Sequence, residues 1–251
     1  MYIVWLSALG VGGATVFGAI LGFIFKSASR VFSNIVLSFA AGVMLASSVM
    51  GLILPSLDFG GVWALPLSLF GIFSGALTLV VFDRITPHLY QLVGIKNGAE
   101  AEKERRARRV ILFVTAIAVH NFPEGVAAGV SFGTGNIASA LSVAGGIALQ
   151  NIPEGMVVIA PMLSSGFSKK KTLLIAVFTG VIEVVGTLLG YVAVSLSEAI
   201  LPFALAFAGG AMLFVISDEM IPETHGAEGN RVATFSLLFG FAVMMVISYF
   251  L

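Results

Sequence analysis

Two copies of one short polar pattern stand inside apolar stretches of this chain. The pattern [HQ]-N-x-P-E-G occurs at His120–Gly125 and again, thirty residues later, at Gln150–Gly155. Glu183 is a further acidic residue in an apolar run. Carboxylate and amide oxygens together with one imidazole are ligands that suit a divalent transition metal. The residues predicted from their types to bind such an ion are His120, Asn121, Glu124, Gln150, Asn151, Glu154 and Glu183.

The three acids of this set, Glu124, Glu154 and Glu183, have no basic partner in their own segments, because every Lys and Arg lies in a connection. An isolated ionised carboxylate in apolar surroundings costs several kcal/mol. Either these acids are protonated, or a cation supplies the missing charge. Three ionised carboxylates would neutralise one divalent ion and leave one negative charge, which is compatible with a second ion sharing a carboxylate. The chain has no cysteine, so thiolate sites are excluded.

The composition predicts that these residues lie inside a membrane. Of the 251 residues 58% are hydrophobic and 10% are charged, whereas soluble domains carry about 25% charged residues. The net charge of zero argues against nucleic acid as a partner. We therefore expect a single all-α integral membrane domain over residues 1–251, with the lipid bilayer around it. Eight segments have the roughly 20 residues that a spanning helix needs: about 2–25, 31–54, 63–82, 110–132, 137–163, 172–195, 200–221 and 232–250.

The basic residues predict the orientation of these spans. All 13 Lys and Arg fall in odd-numbered connections, and such residues stay on the cytoplasmic side. Both termini are therefore expected outside the cytoplasm. The longest connection, residues 83–109, is expected to be a solvated cytoplasmic tether, with a short helix as the alternative.

Helix geometry brings the polar residues to one depth. At about 1.5 Å per residue, the motif residues and Glu183 lie about 14–21 Å from the cytoplasmic ends of their spans. This is near the middle of a core about 30 Å thick. If spans four and five pack side by side, His120 is level with Glu154, and Gln150 is level with Glu124. The proline in each motif is expected to kink its helix.

An internal repeat is visible in the second and seventh spans. Residues Phe39–Leu45 resemble Phe207–Leu213, and each run is followed by an apolar–proline pair, at Leu54-Pro55 and Ile221-Pro222. Because these spans cross in opposite directions, spans 1–3 and 6–8 are predicted to be inverted copies around spans 4–5. Inverted repeats are typical of transporters that bind substrate near the midplane.

Further acidic residues lie at the two predicted mouths. Asp58 follows the outer end of the second span, and Asp218, Glu219, Glu223 and His225 gather at the inner end of the seventh. Cations passing inward would meet negative charge at both mouths. The alternative is that these residues only cap helix ends.

These motifs resemble the ZIP (Zrt-, Irt-like protein) family of divalent metal transporters, and most closely its bacterial GufA-type branch. The resemblance rests on the two hexapeptides, on Glu183 and on Ile221–His225. It implies eight helices, with spans four and five between the inverted repeats. It also implies metal import across a bacterial inner membrane by an elevator-like shift of helices. Zinc is the implied substrate, with iron, manganese, cobalt and cadmium as further candidates, and no cofactor is expected.

The resemblance also implies two metal sites that share Glu154. Met44 also lies near mid-depth, in the second span; its residue type alone favours packing over a role as a soft ligand, but the resemblance would place it in the first site. The first site comprises Met44, His120, Glu124, Gln150 and Glu154. The second comprises Asn121, Asn151, Glu154 and Glu183. Asp58 would guide ions inward, and Asp218, Glu219, Glu223 and His225 would line the exit.

The sequence departs from the family in two places. The connection 83–109 contains only His88, where many members carry a histidine-rich loop. Another branch has H-E-x-P-H-E in the fifth span, where this chain has Gln150, Asn151, Glu154 and Gly155. These differences leave the preferred metal and the occupation of the second site open.

Two other functions stay open from the residues alone. A proton-coupled carrier of an organic solute could cycle protons on the three acids. An intramembrane metallohydrolase could use a metal to activate water, although the H-E-x-x-H pattern of such enzymes is missing. We favour a transporter without enzymatic activity, and glycine-bearing helix faces could also support a homodimer.

Overall fold

The computed structural model describes residues 1–25, 29–91, 119–164, 167–225 and 231–250. In that part of the chain every regular element is helical, and seven helices are long and apolar enough to cross a membrane. The chain is thus an all-α, multi-pass membrane protein. The helices are α1 (Tyr2–Ile24), α2 (Arg30–Ala46), α3 (Ala64–Gln91), α4 (residues 119–131), α5 (Ile137–Ser164), α6 (Lys169–Leu196), α7 (Leu201–Val215) and α8 (Arg231–Phe250).

The observed helices agree with the predicted spans. Seven of the predicted segments are confirmed to within four residues at each end. The fourth, predicted over 110–132, is described only from residue 119 onward. Helix α3 continues beyond the apolar span to Gln91, so residues 83–91 correspond to the helical alternative for the long connection. Residues 92–109 of that connection lie outside the described residues.

Helices α2 and α7 each continue without a break into a wider π-helical turn that forms the end of the same helix, which the sequence did not predict. Ser47–Ile53 and Ile216–Met220 form π-helical turns, in which the N–H of the following residue donates to a carbonyl five residues back. Each wide turn is followed within two residues by a proline, Pro55 or Pro222. Proline has no N–H and clashes with the carbonyl four residues earlier, and a π-turn accommodates both effects. One further helical turn follows in each case, over Leu54–Ser56 and Ile221–His225.

Pairs of helices pack in a repeated scheme. Helix α1 lies against α5 and α6, α3 runs along α7, and α2 runs along α8. At the crossing of α1 and α6, a Cβ on Gly12 would overlap the Gly180 carbonyl group, and a Cβ on Gly180 would overlap that of Gly12. Small residues let membrane helices approach this closely. Other glycines that lie against a neighbouring backbone carbonyl include Gly18, Gly42, Gly75, Gly125, Gly155, Gly186, Gly210 and Gly240.

The burial pattern is the reverse of that of a soluble protein. Large aromatic side chains such as Phe70, Phe73 and Phe235 point outward, with 66–73% of their surface exposed. Glu183 and Gln150, in contrast, are completely buried. Ionisable residues such as Glu183 are rare inside membrane spans and commonly mark functional sites.

Candidate metal site

Glu183 of α6 accepts hydrogen bonds from three other helices. Thr15 Oγ1 of α1 donates to Glu183 Oε1 at 2.6 Å, and Asn121 Nδ2 of α4 donates to the same oxygen. Asn151 Nδ2 of α5 donates to Oε2 at 2.6 Å. All four side chains are buried. The carboxylate therefore joins α1, α4, α5 and α6 near one point.

The glycine at the end of each hexapeptide makes these contacts possible. A Cβ on Gly125 would overlap the carbonyl oxygen of Glu183, and a Cβ on Gly155 would overlap that of Thr15. Because residues four apart share a helix face, each glycine brings the asparagine one turn earlier toward the carboxylate. The spacing N-x-P-E-G thus sets both the ligand types and the closeness of the helices.

A second polar pair lies between α4 and α5. Gln150 Nε2 donates to Glu124 Oε1 at 2.9 Å, and both side chains are completely buried. This is the pairing that the depth calculation predicts for adjacent spans. The two hexapeptides therefore meet side by side within the membrane-spanning bundle.

Glu154 lies between these groups and is partly buried. Glu154 lines a cavity of about 100 Å³ together with His120, Asn121, Glu219 and Glu223, among others. It also lines a smaller cavity of about 10 Å³ with Thr15, Asn121, Gly155 and Thr179. Glu154 is thus the acid that both cavities share.

His120 connects the site to α7. Its Nε2 atom lies 2.7 Å from Glu219 Oε1, in the π-turn of α7. The imidazole is 11% exposed and the Glu219 side chain 33% exposed. The larger cavity therefore leads from the hexapeptides to the acidic end of α7.

Several buried oxygens around the site accept no hydrogen bond from any described residue. Each is an acceptor, and an unpaired buried acceptor costs about 1–3 kcal/mol. A cation would bind to their lone pairs, so this set of oxygen ligands fits a divalent ion. The atoms are Asn121 Oδ1, Asn151 Oδ1, Glu124 Oε2 and Gln150 Oε1.

The candidate ligands here include amide oxygens as well as carboxylates and one imidazole. The described residues contain no group of three or more His, Asp or Glu side chains that could hold a metal ion by themselves. A site built from carboxylates, amides and one imidazole, as the sequence predicts, is consistent with that finding.

Two predicted residues lie apart from these polar contacts. Met44 is completely buried in the apolar core, where Leu37, Val215 and Met220 also pack. Asp58 is exposed in the turn after α2, where its backbone N–H donates to the Pro55 carbonyl.

The four predicted exit residues at the end of α7 fall into two groups. Glu219 and Glu223 line the larger cavity, whereas Asp218 is exposed and does not appear in its lining. His225 contacts α8 instead, with its Nε2 atom 3.2 Å from Thr234 Oγ1 and its Nδ1 atom 3.1 Å from the Ile221 carbonyl. The structure therefore brings two of the four predicted exit residues to the cavity.

Thr15 contacts the candidate ligand Glu183, and the sequence analysis did not predict this contact. A signal was present, because Gly12-x-x-Thr15-x-x-Gly18-x-x-x-Gly22 in α1 has the same spacing as Gly180-x-x-Glu183-x-x-Gly186-x-x-x-Gly190 in α6. Aligning the two helices places Thr15 opposite Glu183.

Comparison with known proteins gives consistent matches. A family model described as "ZIP Zinc transporter" matches residues 94–248. Zinc transporter GufA of Myxococcus xanthus is 42% identical over 177 residues, which cover 70% of this chain and 68% of the relative. Zinc transporter ZIPB of Bordetella bronchiseptica is 38% identical over 239 residues, which cover 92% of this chain and 76% of the relative. Zinc transporter ZIP11 of Xenopus tropicalis is 31% identical, with coverage of 96% and 94%.

Proposed function

Because this chain belongs to the ZIP family and is a divalent metal transporter, we propose that it imports zinc through the polar site between α4, α5 and α6. The relatives are named as transporters, so the chain is not an enzyme and the metallohydrolase alternative is set aside. Their names also favour a metal over an organic solute as the substrate. Iron, manganese, cobalt and cadmium remain candidates beside zinc.

The unpaired buried oxygens carry this proposal. Three amide oxygens and one oxygen of Glu124 are buried and receive no hydrogen bond from any described residue, and a travelling cation would pair with them. A first ion would take His120, Glu124, Gln150 and Glu154, with Met44 as a soft ligand after a movement of α2. A second ion would take Asn121, Asn151, Glu154 and Glu183. Glu154 would bridge the two ions, and its side chain, like that of Asn121, lines both cavities.

Import would run from Asp58 toward the acidic end of α7. Glu219 and Glu223 line the cavity beside His120 and Glu154, which supports an exit on that side. The basic residues of the odd-numbered connections put the same side in the cytoplasm. The protein would then sit in a bacterial inner membrane with both termini outside, and Asp218 and His225 would act at the end of the exit route.

Eight spans with an inverted repeat are supported by matched glycine contacts. Gly12 and Gly180 lie against each other, and their numbers differ by 168. Gly42 and Gly210 differ by the same amount, and each lies against a carbonyl of the helix paired with its own, α8 or α3. The predicted repeat of spans 1–3 and 6–8 aligns the same residues.

An elevator-like cycle fits the way the helices are grouped. Helices α1, α4, α5 and α6 meet through backbone contacts at glycines and through Glu183. Helices α2 and α8 form one lateral pair, and α3 and α7 form another. Between the groups, Gly51 of α2 faces the Val143 side chain of α5. Movement along that contact would carry the bound ion across the membrane.

Uptake by purified protein in proteoliposomes tests this function. A zinc-sensitive dye inside the vesicles should report saturable zinc uptake, and a panel of iron, manganese, cobalt and cadmium should establish the range. Glu154→Ala should abolish uptake, because it removes the ligand shared by both ions. Glu198→Gln is the matched control, since residue 198 lies in the short turn between α6 and α7 and should leave uptake unchanged. Near-normal uptake by Glu154→Ala would refute the shared site.

A further inference from the structure

Thr15 makes an unusual hydrogen bond for a threonine in a membrane helix. Its hydroxyl donates to the Glu183 carboxylate of another helix at 2.6 Å, and the side chain is 3% exposed. Thr179 and Thr187 of α6 instead donate to backbone carbonyls within their own helix. A bond from the hydroxyl to a backbone carbonyl of the same helix is the ordinary one for threonine in a helix. Thr15 therefore acts on the site rather than on its own backbone.

The Thr15 bond limits the free lone pairs of Glu183. Each carboxylate oxygen can accept about two hydrogen bonds. Oε1 receives one from Thr15 and one from Asn121, whereas Oε2 receives one from Asn151. Both lone pairs of Oε1 therefore accept hydrogen bonds, and one lone pair on Oε2 stays free for an ion.

The space beside Thr15, Asn121 and Glu154 is small. The cavity lined by Thr15, Asn121 and Glu154 has a volume of about 10 Å³, which is near the lower limit for one water molecule. A dehydrated ion fits this volume, and a hydrated ion does not. Two of the four proposed ligands of the second ion, Asn121 and Glu154, line this cavity.

We propose that Thr15 restricts Glu183 to coordination through a single oxygen and thereby sets the metal preference of the site. Zinc is commonly held by four ligands, with oxygen distances of about 2.0–2.2 Å. Manganese prefers six oxygen ligands and would gain from a carboxylate that can bind through both oxygens. Thr15 is a positioning residue, because it acts on the ion through Glu183. This inference rests on the proposed second metal position.

The repeat explains why a threonine at this place matters. Thr15 is the counterpart of Glu183 when α1 is aligned with α6. A glutamate in both places would put a fourth acid at the centre of the four helices. The hydroxyl supplies a donor there instead, which removes one negative charge and fixes the remaining carboxylate.

Competition between zinc and manganese in proteoliposomes tests the role of Thr15. Thr15→Val keeps the shape of the side chain but removes the donor. We expect its zinc uptake to become at least threefold more sensitive to competing manganese than that of the unmodified protein. Thr15→Ser retains the hydroxyl and should behave as the unmodified protein does. Thr187→Val is the matched control, because it removes a buried hydroxyl bonded only to backbone.

Each outcome of this experiment decides one point. An unchanged competition profile for Thr15→Val would overturn the role of Thr15, and an equal shift for Thr187→Val would assign the effect to packing. Size-exclusion profiles after heating check folding, and Thr15→Ala repeats the test if the valine variant aggregates. Normal uptake by Glu154→Ala would refute the proposed metal site itself. Loss of uptake by Glu154→Ala, together with an unchanged manganese sensitivity of Thr15→Val, would refute only the Thr15 inference.

Discussion

The amide side chains of the two hexapeptides differ from the carboxylates because each both donates and accepts hydrogen bonds. Asn121 and Asn151 give their N–H groups to Glu183 and keep their oxygens without a described protein partner. Gln150 does the same toward Glu124. An amide can thus orient a carboxylate and offer an oxygen to an ion at the same time. No charge is added to a site that already holds three acids.

Replacement of Gln150 by histidine should change the order in which metals compete. Gln150→His exchanges an amide oxygen for an imidazole nitrogen, a ligand that suits zinc, copper, iron and nickel more than manganese. We expect manganese to compete more weakly against zinc in the variant, by about threefold to tenfold if the difference in binding is near 1 kcal/mol. The measurement is zinc uptake at a fixed zinc concentration with increasing manganese. An unchanged profile would show that Gln150 does not contact the ion.

Sequence reasoning selected candidate site residues whose type is exceptional in a membrane span. Glu183 and the hexapeptides stood out because acids, amides and a histidine are rare at that depth. Thr15 did not, since a threonine among glycines is ordinary on a small-residue helix face. His225 was predicted at the exit, but the structure adds its contact with Thr234 of the next helix, and no local pattern in the sequence indicates such a tertiary contact.

At the scale of secondary-structure elements, α2 and α7 each contain a π-helical turn. Both turns precede a proline, Pro55 or Pro222, whereas α5 runs as an unbroken helix through Pro153. Proline alone therefore does not determine whether a helix widens, and the sequence could not distinguish these cases. The turn in α7 carries Glu219, which faces His120. Its irregular backbone thus lies beside the cavity, where such backbone is tolerated in a membrane.

The crossing of α1 and α6 can be tested with two adjacent glycines. Gly12→Ala would force a methyl group into the Gly180 carbonyl, whereas a Cβ on Gly13 meets no atom within 4 Å. Overpacking of this kind typically costs about 1–3 kcal/mol. We therefore expect a lower melting temperature in detergent for Gly12→Ala and no decrease for Gly13→Ala. Equal melting temperatures for the two variants would contradict the close crossing.

At the scale of the molecule, the spans were the most predictable part. Runs of about 20 apolar residues have few alternatives in a membrane protein, which explains the agreement over seven segments. The end of α3 was less predictable, because a helix can continue past the apolar run into polar sequence, as residues 83–91 do. The pairing of distant helices, such as α2 with α8, depends on glycine contacts that only the structure shows.

A reversible cross-link tests the proposed sliding of α5 along α2. The chain has no cysteine, so the double variant Gly51→Cys, Val143→Cys contains only the introduced pair. A Cβ on Gly51 lies 3.7 Å from Val143 Cβ, within the range of about 3.5–4.5 Å for a disulfide. We expect oxidation to stop zinc uptake and reduction to restore it. Each single-cysteine variant is the control, and full activity of the oxidised double variant would exclude sliding at this contact.

The bonds that Glu183 receives from α1, α4 and α5 have a consequence for genetics. A substitution there removes a proposed ligand and, in the same step, three interhelical hydrogen bonds. Alleles at this codon should therefore lower both the amount of protein in the membrane and its activity. Alleles at the Gln150 codon affect one such bond, so abundance should be largely preserved there. Surveys of natural variants can separate defects of assembly from defects of transport by comparing these two positions.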